Sequence, residues 1–150
     1  MSELKIGDNA PAINSIDQNC ERITLQQFKG KKVVLYFYPK DMTPGCTVQS
    51  CNLRDNYKAL SAKGFVVLGC SVDSTARHIK FIEKYDLPFP LISDEHKKVV
   101  EDYGVWGLKK FMGKEYMGIS RTTFIIDEKG VIEDIIKKVD TKNHSMQIFK

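Results

Sequence analysis

Apolar residues recur along the whole chain in short clusters, and the spacing inside each cluster sets the element it predicts. Val33-Val-Leu-Tyr-Phe-Tyr38 is unbroken and rich in β-branched and aromatic side chains, the mark of a strand covered on both faces. It belongs at the centre of a sheet. Phe65 to Val72 repeats the pattern and predicts a second buried strand. Between them, Leu53, Tyr57 and Leu60 share one face of a helical segment of about 15 residues ending near Gly64. Thr43 suits the N-cap of that helix and Pro44 its first position, where the missing N–H costs nothing. Strand, helix and strand in this order imply a right-handed parallel crossover.

Residues 12–25 read as a β-hairpin, with Asp17-Gln18-Asn19 turning between Ile13/Ile16 and Ile23/Leu25. Ser74 opens a second helix through Ile79, Ile82 and Tyr85, which Leu87-Pro-Phe-Pro90 ends. Asp94 caps a short third helix that stops at Gly104. Arg121 to Ile126 and Val131 to Lys137 flank Asp127-Glu-Lys-Gly130, with glycine where a turn needs positive φ, so these strands pair antiparallel. The expected architecture is a mixed α/β sandwich. No repeat, low-complexity tract or linker divides the chain, which predicts one domain over residues 1–150.

Composition narrows the function. The chain is 42% hydrophobic and 28% charged, and its 23 Lys and Arg are interleaved with 19 Asp and Glu for a net charge of +4. A mixed solvated surface is the result. The basic stretches Lys109-Lys110 to Lys114 and Lys137-Lys138 to Lys142 are short and carry no nucleic-acid motif, so no nucleic-acid partner is expected. The apolar runs fall far short of the roughly 18 residues a membrane span needs. Met1 to Pro11 is charged and lacks an apolar signal region, which predicts a cytoplasmic protein without a membrane anchor.

The four cysteines stand at 20, 46, 51 and 70, with no C-x-x-C pair, and His78, His96 and His144 are too scattered for a zinc-binding spacing. Neither a metal nor a cofactor is expected. Cys70 lies within an apolar strand and reads as a buried core thiol; Cys20 sits in the hairpin turn and reads as an exposed one without a role. Cys46 differs. In the first helical turn, unpaired backbone N–H groups and the positive end of the helix dipole favour its thiolate, and Gly45 leaves the backbone open to a small oxyanion or peroxide; the other reading is a cysteine that merely happens to start a helix. Cys51 comes five residues later on the same helix, which sets the two Cα atoms about 8 to 9 Å apart. A disulfide needs under about 7 Å. The two sulfurs can therefore bond only if the turn melts, and Thr47-Val48-Gln49-Ser50 is made of residues that hold a helix weakly; the other reading is that Cys51 is simply core.

Pro39-Lys-Asp-Met-Thr43-Pro-Gly-Cys46 matches the P-x-x-x-T-x-x-C pattern of peroxiredoxins, and Thr43-Pro-Gly-Cys-Thr-Val-Gln-Ser-Cys51 resembles the bacterioferritin comigratory protein, or peroxiredoxin Q, branch. The likeness extends through Asn52 to Asp55, Val105-Trp-Gly107, Phe111-Met-Gly-Lys114 and Gly118 to Phe124, nearly the whole chain. It implies a thioredoxin-like fold, with Cys46 peroxidatic, Cys51 resolving, Thr43 and Arg121 completing the site and Pro39 shielding it. No cysteine lies beyond Cys70, so the C-terminal resolving cysteine of the family's obligate-dimer branch is absent and resolution within one chain is the consistent choice; a monomer is expected. The chain stops earlier than the branch usually does, after Asn143 to Lys150, and Cys20 replaces a common glycine.

The implied chemistry is attack of the Cys46 thiolate on a peroxide, giving a sulfenic acid with which Cys51 condenses; a thioredoxin-type reductant then reopens the disulfide. Fuller ionisation of a thiol gains at most about thirtyfold in rate, so most of the acceleration must come from charge stabilisation as the O–O bond breaks. Arg121 and the first-turn amides fit that task, with the Thr43 hydroxyl able to accept from the peroxide and donate to it. A disulfide reductase on such a scaffold would use the missing C-x-x-C. A redox sensor, switching shape without turnover, would share the chemistry, and sustained peroxide consumption with a thiol reductant separates the enzyme from it.

Overall fold

The computed structural model describes residues 3–149. Strand β3 (Lys32–Phe37) is the centre of a five-stranded mixed sheet. On one side it pairs in parallel with β4 (Phe65–Ser71), which pairs in parallel with β5 (Leu91–Ser93). On the other it runs antiparallel to β8 (Thr122–Ile126), which pairs antiparallel with β9 (Ile132–Ile136). The alternation along β3 explains its unbroken apolar run: Val33, Leu35 and Phe37 enter one core and Val34, Tyr36 and Tyr38 the other. Gly69 of β4 lets the two strands carry large neighbours, because a Cβ there would stand 2.6 Å from Leu91 and 2.9 Å from the Tyr36 ring.

The first core is closed by the predicted N-terminal hairpin, β1 (Asn14–Ile16) with β2 (Arg22–Thr24), and by α4 (Lys98–Asp102). Cys20 turns that hairpin at φ 60°, a backbone setting that glycine adopts freely. The second core lies under α1 (Pro44–Asp55), α2 (Tyr57–Ala62), α3 (Thr75–Tyr85) and α5 (His144–Phe149). Ser74 caps α3 through the Arg77 N–H as expected.

The structure corrects four details. The segment read as one helix to Gly64 is two, broken at Asn56 (φ −108°, ψ 10°), whose side chain donates to the Asn52 carbonyl in place of a continued helix. Asp94 does serve α4, accepting from the Val100 N–H at 2.8 Å, but the capping position is Lys97 with φ 64°. The third concerns Leu91–Ser93, a short strand directly after the prolines that end α3's run. Finally, β6 (Trp106–Phe111) and β7 (Lys114–Ile119) form a separate two-stranded hairpin around Met112 (φ 52°) and Gly113 (φ 81°). Leu108, Phe111, Met112, Tyr116 and Met117 are all exposed there, so neither face offers the apolar alternation that betrays a strand.

Candidate active site

Tyr38 and Pro39 carry the chain off the end of β3 into a short loop, and Thr43 hands it to α1. Pro44 stands at the helix start as predicted. Thr43 occupies the N-cap position with extended backbone, yet its hydroxyl makes no cap bond and donates instead to the Lys40 carbonyl at 2.8 Å. The correction matters chemically. With no side chain on them, the first-turn amides of α1 keep their affinity for an anion brought to the helix start.

Cys46 sits in this turn, fully buried, and an Arg121 guanidinium nitrogen donates to its Sγ at 3.3 Å. Arg121 lies two residues beyond β7 and directly precedes β8, so the sheet's antiparallel half delivers it to the helix delivered by the parallel half. Its other terminal nitrogen donates to Gln49 Oε1 at 2.6 Å. Gln49 escaped the sequence reading. It lies three residues beyond Cys46 on the same helical face, fully buried, and its helical spacing to both Cys46 and the apolar Leu53 is the signal that could have found it. Its Nε2 and the Thr47 hydroxyl are buried without a partner among the described residues. Gly45 completes the contact, since a Cβ there would stand 3.2 Å from the Arg121 guanidinium.

Four of the five predicted site residues thus fall on one stretch of chain, Pro39 to Cys51, and the fifth, Arg121, meets Cys46 directly. Cys51 is half-buried and shares the unbroken α1 with Cys46, and both are free thiols. Burial pushes the Cys51 thiol up, with Arg54 opposing weakly, so at neutrality it keeps its proton. Cys70 is driven well above its ordinary range by complete burial and stays inert in the core. Tyr36 reaches from β3 to bond the Ser50 hydroxyl at 2.9 Å, tying the middle of α1 to the sheet; Asn52 ties its end to the C-terminal segment, donating to the Lys142 carbonyl and accepting from the Ser145 N–H.

Among the described residues, Asp41, Asp73 and His78 form a group compact enough to consider for a cation, their ligand atoms lying within 4.8 Å of one another. Those atoms are already engaged with each other and with Tyr38, Ser71 and the cationic Arg77.

Residues 6–135 match the AhpC/TSA family model. Peroxiredoxin Bcp of Escherichia coli (strain K12) is 50% identical over 144 residues, spanning 96% of this chain and 92% of that protein. Peroxiredoxin Bcp of Bacillus subtilis (strain 168) is 46% identical over 141 residues, spanning 94% and 90%. A solved structure of the Xanthomonas campestris bacterioferritin comigratory protein, described for its alkyl peroxide reduction activity, superposes with a TM-score of 0.85 at 30% identity, covering 91% of this chain and 87% of that one.

Proposed function

The chain belongs to the AhpC/TSA family and is a peroxiredoxin with a thioredoxin-like fold and thiol-dependent peroxidase activity, and from that premise we propose how its residues divide the work. Cys46 is the attacking sulfur. Its thiolate attacks the terminal oxygen of a hydroperoxide and displaces alkoxide or hydroxide, forming Cys46–SOH, and the leaving oxygen takes a proton to depart as alcohol or water. Arg121 holds the thiolate and the developing oxygen charge through its fork, the Gly45 and Cys46 amides add donors, and Thr43 orients the peroxide with its remaining lone pairs. Pro39 walls the site at the strand end. Cys51 then attacks the sulfenic acid sulfur, expelling water and forming the Cys46–Cys51 disulfide.

That last step requires α1 to open, because an intact helix holds the two sulfurs apart. A dithiol reductant of thioredoxin type returns both cysteines to thiols and is itself oxidised to a disulfide. One domain acting as a monomer in the cytoplasm suffices, with no nucleic acid or membrane in the scheme; no helix among the described residues is long and apolar enough to cross a membrane. Both small and organic hydroperoxides fit, alkyl peroxide reduction being the activity attached to the Xanthomonas relative.

The observation that carries this reading is the 3.3 Å contact between Arg121 and the Cys46 sulfur, with the other tine of the fork fixed by Gln49. Intact mass after one equivalent of peroxide tests it. The wild type should lose two hydrogens, Cys51→Ser should stop with one added oxygen, and Cys46→Ser should not change. An oxygen added to Cys46→Ser, or a disulfide in it, would reassign the nucleophile. Sustained turnover with a dithiol reductant is the expected kinetic result; a single stoichiometric event would make the chain a sensor.

A further inference from the structure

Asp41 lies in the active-site loop yet, among the described residues, hydrogen-bonds to neither Cys46 nor Arg121, and every polar group it has is engaged. Its Oδ2 stands 2.6 Å from His78 Nδ1, and its Oδ1 accepts the Tyr38 hydroxyl at 2.5 Å. Its N–H donates to Asp73 Oδ2 at 2.8 Å, and its carbonyl accepts from Arg77 at 3.2 Å. Both side chains of the Asp41–His78 pair are 0% exposed. On the far side of the ring, His78 Nε2 is 3.0 Å from the Ile92 carbonyl. A carbonyl only accepts, so Nε2 carries a hydrogen, and a single proton bridges Nδ1 and Oδ2. Asp73 widens the network by accepting the Ser71 hydroxyl at 2.7 Å and the Arg77 Nε at 3.3 Å, while its carbonyl accepts the Ser93 hydroxyl at 2.7 Å.

The network therefore bolts one loop residue to the ends of β3, β4 and β5 and to the first turn of α3. Immediately after Asp41 come Met42, held at φ 69°, and Thr43, whose hydroxyl reaches back across Asp41 to Lys40. A non-glycine residue keeps such a backbone only where its surroundings over-determine it. Buried charge-capable groups are also a costly choice for holding a loop, since apolar packing of similar volume often stabilises as well. Their distinctive contribution is direction: packed methyl groups tolerate sliding, whereas four bonds to one residue fix its orientation.

We propose that Asp41 and His78 are a positioning pair for the peroxidase site, fixing the arc from Pro39 to Thr43 so that the Thr43 hydroxyl and the first-turn amides of α1 meet the peroxide in register with the Cys46 sulfur. The pair acts through the loop and is not a catalytic group. The inference rests on Cys46 being the nucleophile.

The experiment is the second-order rate of Cys46 oxidation by hydrogen peroxide in Asp41→Ala and Asp41→Asn, with dithiothreitol reduction of the preformed disulfide measured in the same proteins. Asp41→Ala should slow oxidation about tenfold or more, because a displacement of about 1 Å at reacting groups costs up to about a hundredfold. Asp41→Asn should stay within about threefold of wild type, its oxygen still accepting from Tyr38 and its amide donating to Nδ1 of a ring that still bonds Ile92. Disulfide reduction, which uses the opened α1, should be unchanged in both. A folded Asp41→Ala that reacts at the wild-type rate overturns the proposal, as does an Asp41→Asn slowed equally with Asp41→Ala. Should Asp41→Ala not fold, Tyr38→Phe, which deletes one hydroxyl of the network, must slow oxidation; a wild-type rate there overturns it. Wild-type and Cys46→Ser reactions run alongside report separately on the nucleophile.

Discussion

Arg121 uses two tines of its fork at once, one on Cys46 and one on Gln49, and a lysine can reproduce only the charge. Arg121→Lys should therefore slow peroxide reduction by about a hundredfold, the scale of losing one preorganised donor to a developing oxyanion. Stopped-flow oxidation at several peroxide concentrations measures it, and an unchanged rate removes Arg121 from the mechanism. Gly45→Ala separates activity from stability. A methyl at 3.2 Å makes the guanidinium give way by a few tenths of an ångström, so the rate should fall by up to about tenfold, while alanine's better helix propensity should hold stability or raise it by up to about 1 kcal/mol in urea unfolding. Loss of both together would mean that Gly45 serves packing rather than the site. At this scale the sequence revealed the residues whose chemistry is rare, a cysteine at a helix start and an arginine in a matched pattern. Gln49, Asp41 and His78 stayed hidden because polar residues spaced along helices and loops normally face water, and only the tertiary packing reverses that.

The elements themselves divide by how many faces they bury. β3 and β4 were readable because both faces are covered, and α3 because its apolar stripe and cap agree; β6 and β7 were not, because both faces meet solvent. α5 is a different case: its sequence is short, and its place is set by specific bonds. His144 is buried with Nε2 2.8 Å from the Thr123 hydroxyl and Nδ1 2.8 Å from Gln147, and the Ser145 N–H donates to Asn52 of α1. Burial holds the His144 imidazole below its ordinary range, with Gln147 opposing. The unfolded chain then binds more protons than the native one around pH 6, so stability rises with pH there. The contribution is complete above the unfolded value of about 6.5 and is lost as pH falls below it toward the depressed native value. Urea midpoints at neutral and mildly acid pH should separate more for wild type than for His144→Asn. Equal separations would show that α5 does not depend on a neutral ring.

Across the whole molecule, one central strand divides two cores, and the candidate site sits where the sheet's parallel and antiparallel halves meet. With Cys51 resolving Cys46 as proposed, the part that must move is narrow. It is α1, which follows the Asp41 network and is tied down by the Arg121 contacts, Tyr36–Ser50 and the Asn52 bonds, with Cys46 and Leu53 packed in the second core. Both cysteines belong to that one helix, so on that reading each turnover unwinds and rewinds it. The oxidation state of the molecule thereby becomes readable by a protease. Leu53, fully buried when α1 is wound, is the chymotryptic site that the disulfide form should surrender. Limited digestion should cut after Leu53 faster in oxidised wild type than in the reduced protein, with peroxide-treated Cys51→Ser as resistant as the latter. Equal cleavage of the oxidised and reduced forms would mean the sulfurs meet without the helix coming apart.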